Sequence, residues 1–129
     1  MSDPVRETVT GEGWAVGSLD GMGDGWGFRK VRHALGVDAF GINAVVLPPG
    51  YTSHRHAHER QEEVYFVHRG TLEFTFNDGE TQLLGPGGFA RVDPPTVRSV
   101  RNTSDSEDAV YVAIGGADGY VGRDGVTPD

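Results

Sequence analysis

Apolar residues along this chain come in short runs that alternate with polar ones, and each run is closed by turn residues. Phe28–Leu35 reads FRKVRHAL; Phe40–Leu47 reads FGINAVVL and is closed by Pro48-Pro49-Gly50. YTSHRHAH, EEVYFVHR, TLEFTFND, TQLL, FARVD, TVRSVRN and AVYVAIGG follow, separated by glycine, proline or polar turns. A two-residue period puts every second side chain on one face of a strand. The pattern predicts eight or nine short strands and no helix, the mark of an all-β sandwich, jelly roll or small barrel. Asn77-Asp78-Gly79 predicts a hairpin turn.

The ends read differently. Residues 1–27 form a glycine-rich arm containing GEGWAVGSLDGMGDGWG. Interior glycines cost a helix about 1 kcal/mol each relative to alanine. The stretch lacks the G-K-[ST] ending of a phosphate loop and the full oxygen set of a calcium loop. Trp14 and Trp26 are expected to pin the arm by burying their rings; a lid over a pocket is the alternative. Residues 28–116 are expected to form the barrel, and 117–129 a glycine-rich, irregular tail.

Length and charge narrow the function classes. A chain of 129 residues is one domain by default. Its net charge of −8 repels phosphate backbones and argues against nucleic acid as a partner. The chain has no cysteine, which removes disulfides, thiolate ligands and a cysteine nucleophile. No apolar run approaches the length of a membrane helix and no basic-then-apolar leader opens the chain. The expectation is a cytoplasmic protein with no membrane partner.

The candidate chemistry lies between Gly50 and Gly70, which holds four of the five histidines. On an extended segment, His54, His56 and His58 share a face, and Arg55 and Ala57 take the other. Imidazoles beside a carboxylate suit zinc, copper, iron or nickel, and two imidazoles with one carboxylate form a facial triad with open positions.

The spacing of Gly50, His56, His58, Glu63 and Gly70 resembles the first sequence motif of the cupin superfamily at every fixed position. VLPPG before it and EEVYFVHRGTLEF after it are similar to the family as well, and the likeness runs from Phe40 to Ile114. The resemblance implies a single-domain double-stranded β-helix, a jelly-roll barrel with its site inside. It implies a divalent metal (Fe, Mn, Ni or Zn) held by His56, His58 and Glu63, a small-molecule ligand and a homodimer. Glu62 has the opposite parity to Glu63 and is expected to face out; Tyr65 and Val67 are expected to line the cavity. His54 reads as a substrate group at the barrel mouth or as exposed surface. His68 is expected to be structural, and His33 lies on an early strand without an identified partner.

The second family motif normally adds another histidine ligand, and this chain has no histidine after His68. Gly88, Pro94 and Asn102 resemble the landmarks of that motif; counting back from Asn102 puts Arg98 at the ligand position, and counting forward from Pro94 puts Ser99 there. Arg98 is preferred, because the count from Asn102 stays within one strand. A unit charge roughly 6 Å from a divalent ion, at an effective dielectric of about 20, costs about 5–6 kcal/mol. An inward Arg98 is therefore expected to weaken metal binding; the alternatives are that it swings away, holds an anionic substrate over a three-ligand metal, or replaces the metal by pairing with Glu63.

Three functions remain open. The first is a metal-dependent dioxygenase, isomerase or decarboxylase acting on a small, anionic, oxygen-bearing molecule, with Arg98, His54 and Tyr65 as substrate-binding residues. The second is a non-catalytic small-molecule-binding or sensor barrel whose metal site is weakened by Arg98. The third is metal-free, sugar-isomerase-type chemistry with a histidine as base.

Overall fold

The computed structural model describes residues 3–128. It is an all-β jelly roll, the double-stranded β-helix that the family resemblance implies. Twelve strands are β1 (Val9–Gly11), β2 (Trp14–Val16), β3 (Gly27–Arg29), β4 (Gly41–Leu47), β5 (Ala57–His58), β6 (Glu62–Arg69), β7 (Leu72–Phe76), β8 (Glu80–Leu84), β9 (Phe89–Val92), β10 (Arg98–Asn102), β11 (Ala109–Gly116) and β12 (Gly125–Val126). A five-stranded antiparallel sheet runs β3-β4-β11-β6-β9 and packs over a three-stranded sheet, β10-β7-β8. The segment before β5 bridges to β10 at Thr52–Arg101 and His56–Arg98, which closes one side of the barrel.

The inward faces of both sheets build the core. Val45, Leu47, Tyr65, Val67, Leu72, Phe74, Val92, Val100, Ala109 and Tyr111 are buried together. Each Leu- or Phe-sized side chain so enclosed contributes about 1.5–3 kcal/mol. Asn102 fixes the sheet to the loop after β4, its amide donating to the carbonyls of Leu47, Pro48 and Glu107. The hairpin read from Asn77-Asp78-Gly79 joins β7 to β8, with φ of 52° at Asn77 and 124° at Gly79.

Three expectations are corrected. FRKVRHAL is not one strand: β3 ends at Arg29, and α1 (Val31–Leu35) follows, carrying His33. Gly36, at φ 72°, closes this helix in the left-handed conformation that glycine adopts without strain. Trp14 and Trp26 are not buried anchors; they are 55% and 65% exposed. The arm folds instead through the β1–β2 hairpin, and Trp26 Nε1 donates to Asp108. The tail is not wholly irregular, since β12 pairs with β5.

Candidate metal centre

Strand parity at β6 decides which carboxylate enters the barrel. Glu62 is exposed, while Glu63, Tyr65 and Val67 turn inward. His56 and His58 arrive from the opposite wall. The backbone of His56 pairs with that of Arg98 in both directions, at 3.0 and 2.9 Å. His58 lies in β5, gripped from the far side by β12. Donor atoms of His56, His58 and Glu63 fall within 4.8 Å of one another. They open onto a cavity of about 500 Å³ whose wall also includes His54, Gln61 and Tyr111.

His54 is exposed, with its ring centre 5.9 Å from that of His56. Tyr65 is buried in the cavity floor, and its hydroxyl donates to Glu63 Oε1 at 2.7 Å. His68 is exposed on the outer face of β6. Arg91 and Arg101 form surface ion pairs with Asp93 and Glu73.

Arg98 points inward and is 0% exposed. Its Nη2 donates to Glu63 Oε1 at 2.8 Å and its Nε to the Tyr65 hydroxyl at 3.3 Å. Nη1 faces the carbonyls of Thr96 at 2.6 Å and Pro94 at 3.2 Å. The inward orientation and the pairing with Glu63 are both present in the structure. The guanidinium lies behind the carboxylate rather than in the cavity wall. It therefore does not present itself to a molecule in the cavity, contrary to its expected contact with substrate.

The charges follow from these contacts. Glu63 is partly desolvated, which opposes ionisation, but His58, Tyr65 and Arg98 overcome this and hold its pKa down at about 2. Burial, followed by the charge of Arg98, lowers His56 below 6.5 and keeps it neutral. His58 is raised above 6.5, chiefly by the Glu63 carboxylate. Burial pushes the Tyr65 phenol far up, so it stays protonated.

One residue of the site was not found by sequence reasoning. Asp124, just before β12, accepts from the backbone N–H of Arg60 and Gln61 and from the Gln61 amide. These donors hold its carboxyl well below the usual range. Its Oδ1 is 2.8 Å from His58 Nδ1. An ionised carboxylate only accepts, so the Nδ1 proton is fixed there and, in the neutral imidazole, Nε2 carries the lone pair. That Nε2 is buried and has no hydrogen-bond partner; it lies 3.3 Å from Glu63 Oε1 without the alignment of a hydrogen bond. Asp124 left no signal in the sequence, because its partner lies 66 residues away.

The donor set fits a divalent metal. An orphaned imidazole nitrogen faces the cavity with its tautomer fixed, a second imidazole is neutral, and the carboxylate is ionised. Metal bonds of roughly 2.0–2.2 Å require donors about 3–3.5 Å apart, which small side-chain rotations from the observed cluster supply.

Comparison with known proteins agrees with the geometry. The family model described as Cupin domain matches residues 43–115, more than half of the chain. No curated protein shows significant similarity to the sequence. A solved sugar phosphate isomerase from a cupin superfamily, from Silicibacter pomeroyi, is 28% identical with a TM-score of 0.64, over 85% of this chain and 68% of its own. A cupin protein from Bacteroides fragilis is 26% identical with a TM-score of 0.62, over 82% of this chain and 91% of its own. The DMSP lyase DddQ from Ruegeria pomeroyi is 22% identical with a TM-score of 0.60, over 70% of this chain and 43% of its own. The chain thus spans less than half of that lyase, and the likeness there is one of fold. The matched segment, β4 to β11, is the barrel that carries His56, His58 and Glu63, and the chain belongs to the cupin family.

Proposed function

We propose that the barrel binds one divalent metal ion through His56, His58 and Glu63 and acts as an enzyme on a small, anionic, oxygen-bearing molecule held in the cavity. The observation that carries this reading is the buried, partnerless Nε2 of His58, aimed beside Glu63 with its tautomer set by Asp124. A bound metal would supply Lewis acidity toward a substrate oxygen at its open positions. Tyr65 and Arg98 both bind Oε1 of Glu63, which orients the carboxylate. His54 is the uncommitted imidazole in the cavity wall and serves as the proton acceptor. Isomerisation, oxidation and decarboxylation all use such a site. The likeness to the sugar phosphate isomerase extends over most of both chains and supports isomerisation first.

Cytoplasmic location and a homodimer belong to the same reading. No described helix is long and apolar enough to cross a membrane, and Phe28 on the edge strand β3 is 67% exposed.

A second reading, a binding barrel without catalysis or metal, is favoured by the Arg98–Glu63 pair itself, since the guanidinium already neutralises the anionic ligand. Metal content separates the two. Protein purified without an affinity tag should carry near-stoichiometric Fe, Mn, Ni or Zn, and His56→Ala should lose it. A wild-type protein that is metal-free and fails to take up added metal would overturn the metal-dependent reading.

A further inference from the structure

A second cavity, of about 370 Å³, adjoins the first and shares Gly41, Ile42, Asn43 and Tyr120 with it. Its remaining wall is Lys30, Arg32 and His33. The chain has 19 acidic and 11 basic residues, yet no carboxylate lines this cavity. Lys30 is the chain's one lysine. None of the three basic residues joins an ion pair among the described residues. Unopposed positive charge concentrated in a concave wall favours an anion.

The fold positions these groups. Lys30 precedes α1, and Arg32 and His33 lie on it. The Arg32 guanidinium stacks on Tyr120, 3.8 Å from the ring centre. Its Nη1 donates to the Val37 carbonyl at 3.2 Å. These two contacts hold the guanidinium in place and leave Nε and Nη2 without a partner among the described residues. A planar fork with free donors beside an ammonium group matches the oxygens of a phosphate group.

We infer that Lys30, Arg32 and His33 form a phosphate-binding subsite beside the metal cavity. The shared wall of the two cavities extends this to a substrate that places a phosphate group here and an oxygen-bearing carbon framework beside His56, His58 and Glu63; this extension rests on the proposed function above. Anion recognition then belongs to residues 30–33 and not to the buried Arg98.

The test is calorimetric titration of the full chain with inorganic phosphate. Wild type should bind saturably. Lys30→Gln and Arg32→Gln should each weaken binding about tenfold or more, the loss expected for a hydrogen bond to a charged group. Lys30 is exposed, so K30Q tests the site even if R32Q folds poorly. In protein stripped of metal with a chelator, phosphate binding in His56→Ala should match wild type. Absence of phosphate binding in wild type, or equal binding in K30Q and wild type, would overturn the subsite. A second titration uses ribose 5-phosphate with Mn²⁺ present. Tighter binding than phosphate, reduced to the phosphate level by H56A, supports a substrate spanning both cavities. Equal affinity of the two ligands in wild type supports the subsite with free phosphate as its ligand.

Discussion

Arg98 Nη2 lies 2.8 Å from Glu63 Oε1 inside a guanidinium environment with no solvent exposure. The pair makes Glu63 a carboxylate supported from behind: Oε1 is engaged by both Arg98 and Tyr65 and lies 3.3 Å from His58 Nε2. The same charge that keeps Glu63 ionised also opposes a cation in front of it.

At the proposed metal site Arg98 would restrain metal affinity while it stabilises the fold. Arg98→His should tighten Mn²⁺ or Zn²⁺ binding by at least about tenfold, well inside the Coulomb cost of a unit charge near a divalent ion. Arg98→Met removes the charged partner of Glu63, which keeps the Tyr65 hydroxyl as donor, and the side-chain donor to the Thr96 carbonyl, and should destabilise the metal-free protein by about 3–5 kcal/mol. Competition titration with a chelator reads the first effect and urea denaturation the second. Unchanged affinity in R98H would refute the opposition between Arg98 and the metal.

Under the proposed function, Asp124 would act on the metal through His58. Asp124→Asn removes the obligatory acceptor at Nδ1 and allows the other tautomer, in which Nε2 is protonated and cannot ligate. Metal affinity should fall about 10–100-fold. The crosspeaks of the His58 ring in ¹⁵N spectra should shift from the Nδ1–H to the Nε2–H pattern. A drop in affinity without that tautomer shift would assign Asp124 to packing alone.

Acid should unfold the metal-free protein through its depressed carboxylates. Glu63 falls from 4.5 to about 2 on folding, and Asp124 is lowered from 3.8. Their stabilisation is fully present above pH 4.5 and is lost as pH falls through 4.5 toward about 2. His56 and His58 shift in opposite directions from 6.5 and offset one another near neutrality. Urea midpoints measured across this range should fall steeply below pH 4.5 in wild type and less steeply in Glu63→Gln. Metal affinity has a separate limb. His58 is raised above 6.5, so a bound metal displaces its proton, and affinity should climb as pH rises beyond 6.5.

Gly115 faces the site from β11. A methyl group there would meet the Gln61 amide oxygen and approach Glu63 Cγ to 3.1 Å. Gly115→Ala should displace both side chains and weaken metal binding about tenfold or more, with a smaller effect on stability than R98M. Gly115 has no left-handed backbone requirement, so the effect is one of space. Chelator competition and urea denaturation on the same variant separate the two readouts.

The barrel and its donors were legible because both depend on short-range periodicity. Alternation sorted Glu63 from Glu62 and put His56 and His58 on one face; a count from Asn102 within a single strand placed Arg98 inward. What escaped depends on distant partners or on weak local signals. Asp124 means nothing in sequence until β12 is laid beside β5. Helix α1 has no side-chain cap at Lys30 and is only five residues long, so with Phe28 of β3 before it the stretch read as one strand; Gly36 after it was the available stop signal. The tryptophans were assigned to burial by ring size alone, whereas Trp14 on β2 and Trp26 just before β3 are both largely exposed.

The pairing of β12 with β5 also separates the walls of the barrel from the setting of its ligand. Residues 41–116 contain every strand of the two large sheets except β3, whereas the acceptor at His58 Nδ1 comes from Asp124, just before β12. A chain cut before Asp124 should keep both sheets and lose the constraint on the His58 tautomer.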